Sequence, residues 1–158
     1  MNTYSKFQLF WLVVLRLAIG WHFLYEGLVK LSNPVWTSYS YLMDSKGLFE
    51  NFFHTLAGNP TVLSIVDYAN IWGLILIGLS LILGLLSRPA IIAGIILLAF
   101  YYLSHPALID LEYALPSVGN AFIIDKTLIE LFALAVLFVF PTHTEIGIDR
   151  LIFNRKQQ

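Results

Sequence analysis

The sequence predicts an all-α fold: a polytopic membrane four-helix bundle with a short interfacial helix in the first outer loop. Three observations predict it. The 158-residue chain is 58% hydrophobic and only 12% charged, whereas a soluble domain carries about a quarter charged residues. A soluble fold of this size could not hide that much apolar surface, so lipid is the solvent for most of the chain. Next, the apolar residues gather in four runs, and a span needs about 20 residues to cross the hydrocarbon. Last, backbone polar groups in lipid must pair within their own segment, which makes these runs helices rather than loops.

The first run covers 7–31. It is too long for the apolar core of a signal peptide, and no small-x-small cleavage pattern follows it. It is expected to be a retained first membrane helix. In the loop after it, "GLFENFFHTL" sets Leu48, Phe49, Phe52, Phe53 and Leu56 on one face and Lys46, Glu50, Asn51 and His54 on the other. That pattern suits a short amphipathic helix in the interface, acting as a lid packed on the bundle. Trp36, Tyr39 and Tyr41 nearby suit an aromatic belt. The second run covers 62–86. "SRPA" then makes a tight turn, with its proline in the first turn of the third helix, where a missing N–H costs nothing. The third run, 88–104, is short for a span and fits a locally thin region. The fourth covers 122–140 and stops at Pro141. The longer connections are 32–61 and 104–121, and the whole chain, 1–158, is expected to form one membrane domain.

Orientation follows from Lys and Arg near the spans. Lys6, Arg88, Arg150, Arg155 and Lys156 must share one side. The other side holds Lys46 in its first loop and only Asp110 and Glu112 in its second. Both termini are therefore expected in the cytoplasm. The net charge of −1 leaves no basic stripe for nucleic acid. Without cysteine, the chain cannot supply disulfides, thiolate catalysis or cysteine ligands to zinc or iron–sulfur clusters.

The chemistry concentrates in "RLAIGWHFLYEGLVKL", residues 16–31. Arg16, His22, Glu26 and Lys30 fall within roughly a third of the helix circumference. Gly20 and Gly27 flank that face and permit close helix approach. Leu12 and Ile19 are assigned to the opposite, lipid-facing side. Intramembrane charges normally point into the bundle. There the orientation brings His22, Glu26 and Lys30 near Asp67, His105, Asp125, Lys126 and Glu130 at the outer ends of the other helices, while Arg16 sits deeper, near mid-membrane. Carboxyls and an imidazole withdrawn from water suit proton transfer. His22, Glu26 and Glu130 are accordingly the candidate catalytic groups. Arg16, Lys30, His105, Asp125 and Lys126 are the candidate substrate-binding groups, and no metal-ligating set is assigned.

A structural reading stands beside this one. Glu26 and Lys30 are spaced i,i+4 and could pair on their own helix. Lys30 and Lys126 could snorkel to the interface. Asp125 could cap the fourth helix, and Arg16 could lock the bundle through a carboxylate. His22 and His105 also invite axial ligation of a haem, but His105 precedes Pro106 at a helix end and haem is not the expected cofactor. His54 and His143 fall in loops. No phosphate loop, GxGxxG, HExxH or nucleophile elbow is present.

The same segment resembles the opening of the DoxX/DoxD family of small membrane proteins, with Arg16, Gly20, Phe23, Gly27 and Lys30 in register. "GLSLILGLLSRPA" resembles that family's second helix and turn through Gly78, Gly84 and Arg88. "IGIDRLI" resembles its ending through Gly147, Asp149 and Arg150. The "NPVWTSYSYL" loop is closer to the DoxD-like branch. The resemblance implies a four-helix protein of the bacterial inner membrane, related to the small subunit of a thiosulfate–quinone oxidoreductase. Together with the charged face, it gives the expected function: a membrane subunit of a quinone-linked oxidoreductase handling thiosulfate or another reduced sulfur species. Quinone, the lipid bilayer and either a partner subunit or a second copy are the expected partners, and nucleic acid is not. The alternatives are a non-catalytic anchor or assembly module, and a small transporter, which no inverted repeat supports.

Overall fold

A computed structural model describes residues 4–108, 111–115 and 122–153. Asp110, Arg155 and Lys156, which entered the orientation reasoning, lie outside the described residues. The elements are α1 (Lys6–Ser32), α2 (Tyr39–Met43), α3 (Glu50–Gly58), α4 (Pro60–Leu83), α5 (Ser87–Ser104), α6 (Lys126–Val139) and α7 (Ile148–Phe153). Every described element is a helix, as the composition requires of a chain dissolved in lipid. Helices α1, α4 and α5 are long and apolar enough to cross a membrane.

Local chemistry sets the ends. Ser5 opens α1 with a reciprocal capping box to Gln8, which satisfies two orphan N–H groups. Asn59 caps α4 by accepting from the N–H of Thr61 and Val62, with Pro60 in the first turn. Gly84 ends α4 in the left-handed region at φ 64°, which glycine adopts without a Cβ penalty.

The fourth predicted run behaves differently from expectation. Its helix spans 126–139 rather than 122–140. Phe122 and Ile123 have positive φ, and Asp125 accepts from the N–H of Leu128 at 2.8 Å. A side-chain cap at this position competes with one more turn of helix.

The bundle is built on glycines. Gly20 and Gly27 of α1 meet Leu81, Leu74 and Ile75 of α4, and Gly78 of α4 lies against Leu24 and Gly20. The two helices run antiparallel, and this close approach is the small-residue packing expected in lipid. Phe23, Leu74, Ile77, Leu81, Ile91, Leu98, Leu134 and Leu137 fill the core between α1, α4, α5 and α6. Ile19 belongs to that core and Leu12 packs against it, which corrects their assignment to the lipid side. At 100° per residue both fall on the same side as Lys30. Lipid instead meets Trp11, Trp21, Ile65, Trp72, Ile92, Ile96, Ile129 and Phe132, which are all exposed. Such a large apolar surface is incompatible with water.

The predicted interfacial helix is α3, and only part of its apolar face turns inward. Phe53 and Ala57 are buried with Leu42 of α2, against Leu56, Leu63 and Val66. Leu48 (98% exposed), Phe49 and Phe52 face outward. One apolar stripe thus serves two surfaces, the bundle and the surroundings.

At the end of the bundle bearing the described N-terminal residues, Asp149 closes the α4–α5 turn. Its carboxylate accepts from the N–H of Leu86 at 2.9 Å and Ser87 at 3.4 Å. Its own N–H donates to Gly84 O at 3.0 Å. These bonds hold Leu86 at φ 51°, a conformation a branched residue avoids unaided. The segments around Gly84 and Asp149, far apart in sequence, are thus one structural unit.

Candidate functional site

A cavity of about 720 Å³ opens at the opposite end of the bundle, where α2 and α3 lie. Its size falls in the range of small-molecule sites, roughly 300–1,000 Å³. Of the sequence-predicted residues, His22, Glu26, Lys30, Lys126 and Glu130 line it. Helix α1 delivers the first three because positions 22, 26 and 30 recur at four-residue spacing on one face. Helix α6 delivers the other two because its cap at Asp125 starts the helix with Lys126 in its first turn.

His22 Nδ1 and Glu130 Oε1 are 2.8 Å apart, joining α1 to α6. The His22 side chain is 53% exposed and that of Glu130 only 16%. The pair therefore reaches the surface of the bundle at the edge of the cavity, where α1 meets α6. Glu26 makes no hydrogen bond or ion pair among the described residues, so its carboxylate remains available to an occupant of the cavity.

Lys30 is not paired with Glu26 on its own helix, the structural alternative the spacing offered. Its Nζ donates to Asn70 Oδ1 at 2.9 Å and to Tyr101 Oη at 3.3 Å. It also stands 5.2 Å from the Trp36 ring centroid and 5.4 Å from that of Tyr101, within the range of cation–π attraction. All these partners are neutral. Among the described residues no carboxylate stands within ion-pair distance of Lys30, although Glu26 acts on it through space.

Loops roof the cavity. Trp36, Thr37, Ser38, Ser40 and Tyr41 line it from the first long connection and Leu115 from the second. Asp67 Oδ1 pins Ser38 through its N–H at 2.8 Å and its Oγ at 2.5 Å. Asp44 latches the two connections by accepting from the N–H of Ala114 and Leu115 at 3.0 and 2.9 Å. Burial pushes the Asp44 carboxyl up. The Leu115 and Ala114 N–H groups, with His105 and Lys46 nearby, more than offset this and hold it below its ordinary range.

Three predicted site residues lie elsewhere. Arg16 is 3% exposed and donates to Thr142 Oγ1 at 3.0 Å, beside Gly84 at the other end of the bundle. Its nearby acid is Asp149. It fastens the start of α1's buried face to the segment that follows α6. His105 caps α5 and stacks on Tyr41 (centroids 4.0 Å apart) and Tyr113 (4.7 Å). It supports the roof from behind, and burial lowers its basicity. His105 is not among the residues that line the cavity with His22. Asp125 is engaged as the α6 cap.

We expect Arg16→Met to cost about 1.5–3 kcal/mol, the worth of a hydrogen bond to a charged group. The check is thermal unfolding in detergent. The melting temperature should fall while ligand binding in the distant cavity stays unchanged.

Sequence reasoning missed Asn70, Tyr101, Trp36 and Thr127 as cavity residues. Asn70 carried a signal, a polar side chain inside an apolar run. Trp36 and Tyr41 were assigned to an aromatic belt. Tyr101 carried none, being one more ring in an apolar segment.

A protein-family model described as DoxX matches residues 11–106. That range spans α1 to α5 and contains His22, Glu26, Lys30, Asn70 and Tyr101; Lys126 and Glu130 lie beyond it. No curated protein and no solved structure matches the chain.

Proposed function

The chain belongs to the DoxX family, and on that premise we propose that it is the quinone-binding membrane subunit of an oxidoreductase. One observation carries this reading: groups able to exchange protons and groups carrying positive charge line a single cavity beside the surface-reaching His22–Glu130 pair. A quinone is a lipid-dissolved ring with two carbonyl oxygens. It would enter laterally between α1 and α6 and lie among the apolar and aromatic walls of Phe23, Leu74 and Leu98.

Reduction of a quinone to a quinol consumes two electrons and two protons. His22 and Glu130 share a hydrogen bond and can pass a proton along it toward the cavity. Glu26, one turn further along α1, is a second exchange site. Lys30 and Lys126 supply positive potential where negative charge develops on the ring oxygens. The electrons come from a reduced sulfur species such as thiosulfate, two molecules of which couple with loss of two electrons. The chain has no cysteine, so the electrons travel through a partner subunit or a bound redox group. In this reading the protein lies in the bacterial inner membrane with its termini in the cytoplasm. The cavity then sits beneath the outer leaflet.

The test is mass spectrometry of the gently solubilised protein, followed by a quinone-reduction assay with thiosulfate or sulfide. A stoichiometric quinone in the preparation is expected. No extracted quinone, and no turnover either alone or with a co-purifying partner, defeats the proposal.

A further inference from the structure

The hydrogen bonds around Tyr101 determine more about the occupant than its class. Lys30 Nζ has only protons to give, so the atom of Asn70 that faces it at 2.9 Å must be the carbonyl oxygen. That fixes the orientation of the Asn70 amide. Its Nδ2 then donates to Tyr101 Oη at 2.6 Å. Lys30 Nζ also donates to Tyr101 Oη, at 3.3 Å. The phenolic oxygen thus accepts twice and is left with its own O–H to give. Among the described residues nothing accepts it, and Tyr101 lines the cavity. Lys30 has used two of its three N–H donors on these neighbours.

We infer that Tyr101 and Lys30, held by Asn70, form a donor-only subsite that takes an oxyanion or carbonyl oxygen of the bound head group. The inference rests on the quinone reading and refines it. The two ends of the cavity differ in kind. The His22–Glu130 end can give or take a proton, whereas Tyr101 and Lys30 themselves present only donors and a positive charge, with the Glu26 carboxylate near enough to act on both. Such a polarity selects ring systems with an acidic hydroxyl, ionised at neutral pH, over uncharged ones. Neutral neighbours hold the ammonium in place. The Trp36 and Tyr101 rings flank Lys30 at 5.2 and 5.4 Å, and the Asn70 carbonyl takes one of its protons.

The experiment is isothermal titration of the purified full chain in detergent, with empty micelles as the blank. The two probes are 2-hydroxy-1,4-naphthoquinone, ionised at neutral pH, and its uncharged 2-methoxy analogue. Wild type should bind the ionised probe about tenfold or more tightly, the scale of one hydrogen bond to a charged group. Tyr101→Phe keeps the ring and removes only the O–H; it should erase most of that preference by weakening the ionised probe far more than the 2-methoxy one. Lys30→Met should do the same, so the result does not depend on one variant folding well. Binding of both probes with the preference intact in either folded variant, or with no preference in wild type, overturns this inference and leaves the quinone reading standing. Failure of wild type to bind either probe defeats both.

Discussion

Gly78→Ala should lower the melting temperature and the yield of folded protein markedly. A Cβ at Gly78 would stand 2.5 Å from the backbone nitrogen of Leu24 and 2.7 Å from the carbonyl oxygen of Gly20. Neither atom can swing aside as a side chain would. Relief requires α1 and α4 to separate, and that contact anchors the whole core around Phe23 and Leu81. Overpacking costs typically about 1–3 kcal/mol, and a backbone clash belongs at the upper end. Fluorescence-detected gel filtration and thermal melting report it. Gly73→Ala is the internal control. It lies on the same helix, and a Cβ there meets nothing within 4 Å. It should be neutral or slightly stabilising, because alanine is the better helix former by about 0.5–1 kcal/mol. Equal effects from the two substitutions would contradict the packing described.

The second large effect belongs to Glu130→Gln. The glutamine amide keeps the size of the side chain and can still hydrogen-bond His22, but it can neither hold nor release a proton at neutral pH. Positioned proton transfer contributes typically about 10²–10⁴-fold to rate. Quinone reduction should therefore fall by about that factor, with quinone content and melting temperature near wild type. The opposite pattern, a normal cellular phenotype with reduced abundance in both Glu130→Gln and Glu26→Gln, would favour the anchor role. In that case the charges serve assembly, and the cavity is a by-product of packing.

Much of the fold was legible because lipid enforces it. A run of about 20 apolar residues leaves the backbone one way to satisfy itself. The boundaries were less legible, because the caps at Ser5, Asn59 and Gly84 that set them leave no mark in the apolar pattern. The fourth helix was less legible because an aspartate beside an apolar run can sit inside a helix or cap one, and here Asp125 caps. The inward turn of only Phe53 and Ala57 in α3 depended on where α2 and α4 lie, which periodicity does not contain.

The site divides along the same line. His22, Glu26 and Lys30 could be grouped from one helix because spacing alone sets their common face. The depth of Arg16 was legible too, but its partner was not. Six residues separate Arg16 from His22, which is about 9 Å of rise, and Arg16 falls opposite Thr142 rather than Glu130. The partners of Lys30 were beyond reach for another reason. Asn70 and Tyr101 come from two further helices, and their meeting depends on the registers that Gly78 and Gly94 permit. No single-segment pattern encodes that.

The central claim, that a quinone lodges between α1 and α6 against the charged groups of α1, can be tested by photolabelling. An azidoquinone is irradiated with the protein in lipid vesicles, and the labelled peptides are mapped with and without excess unlabelled quinone. Competable label confined to residues 22–30, 36–41 and 126–130 is the predicted result. Label scattered over lipid-facing positions such as Trp11, Ile65 and Phe132, and indifferent to competitor, would contradict it.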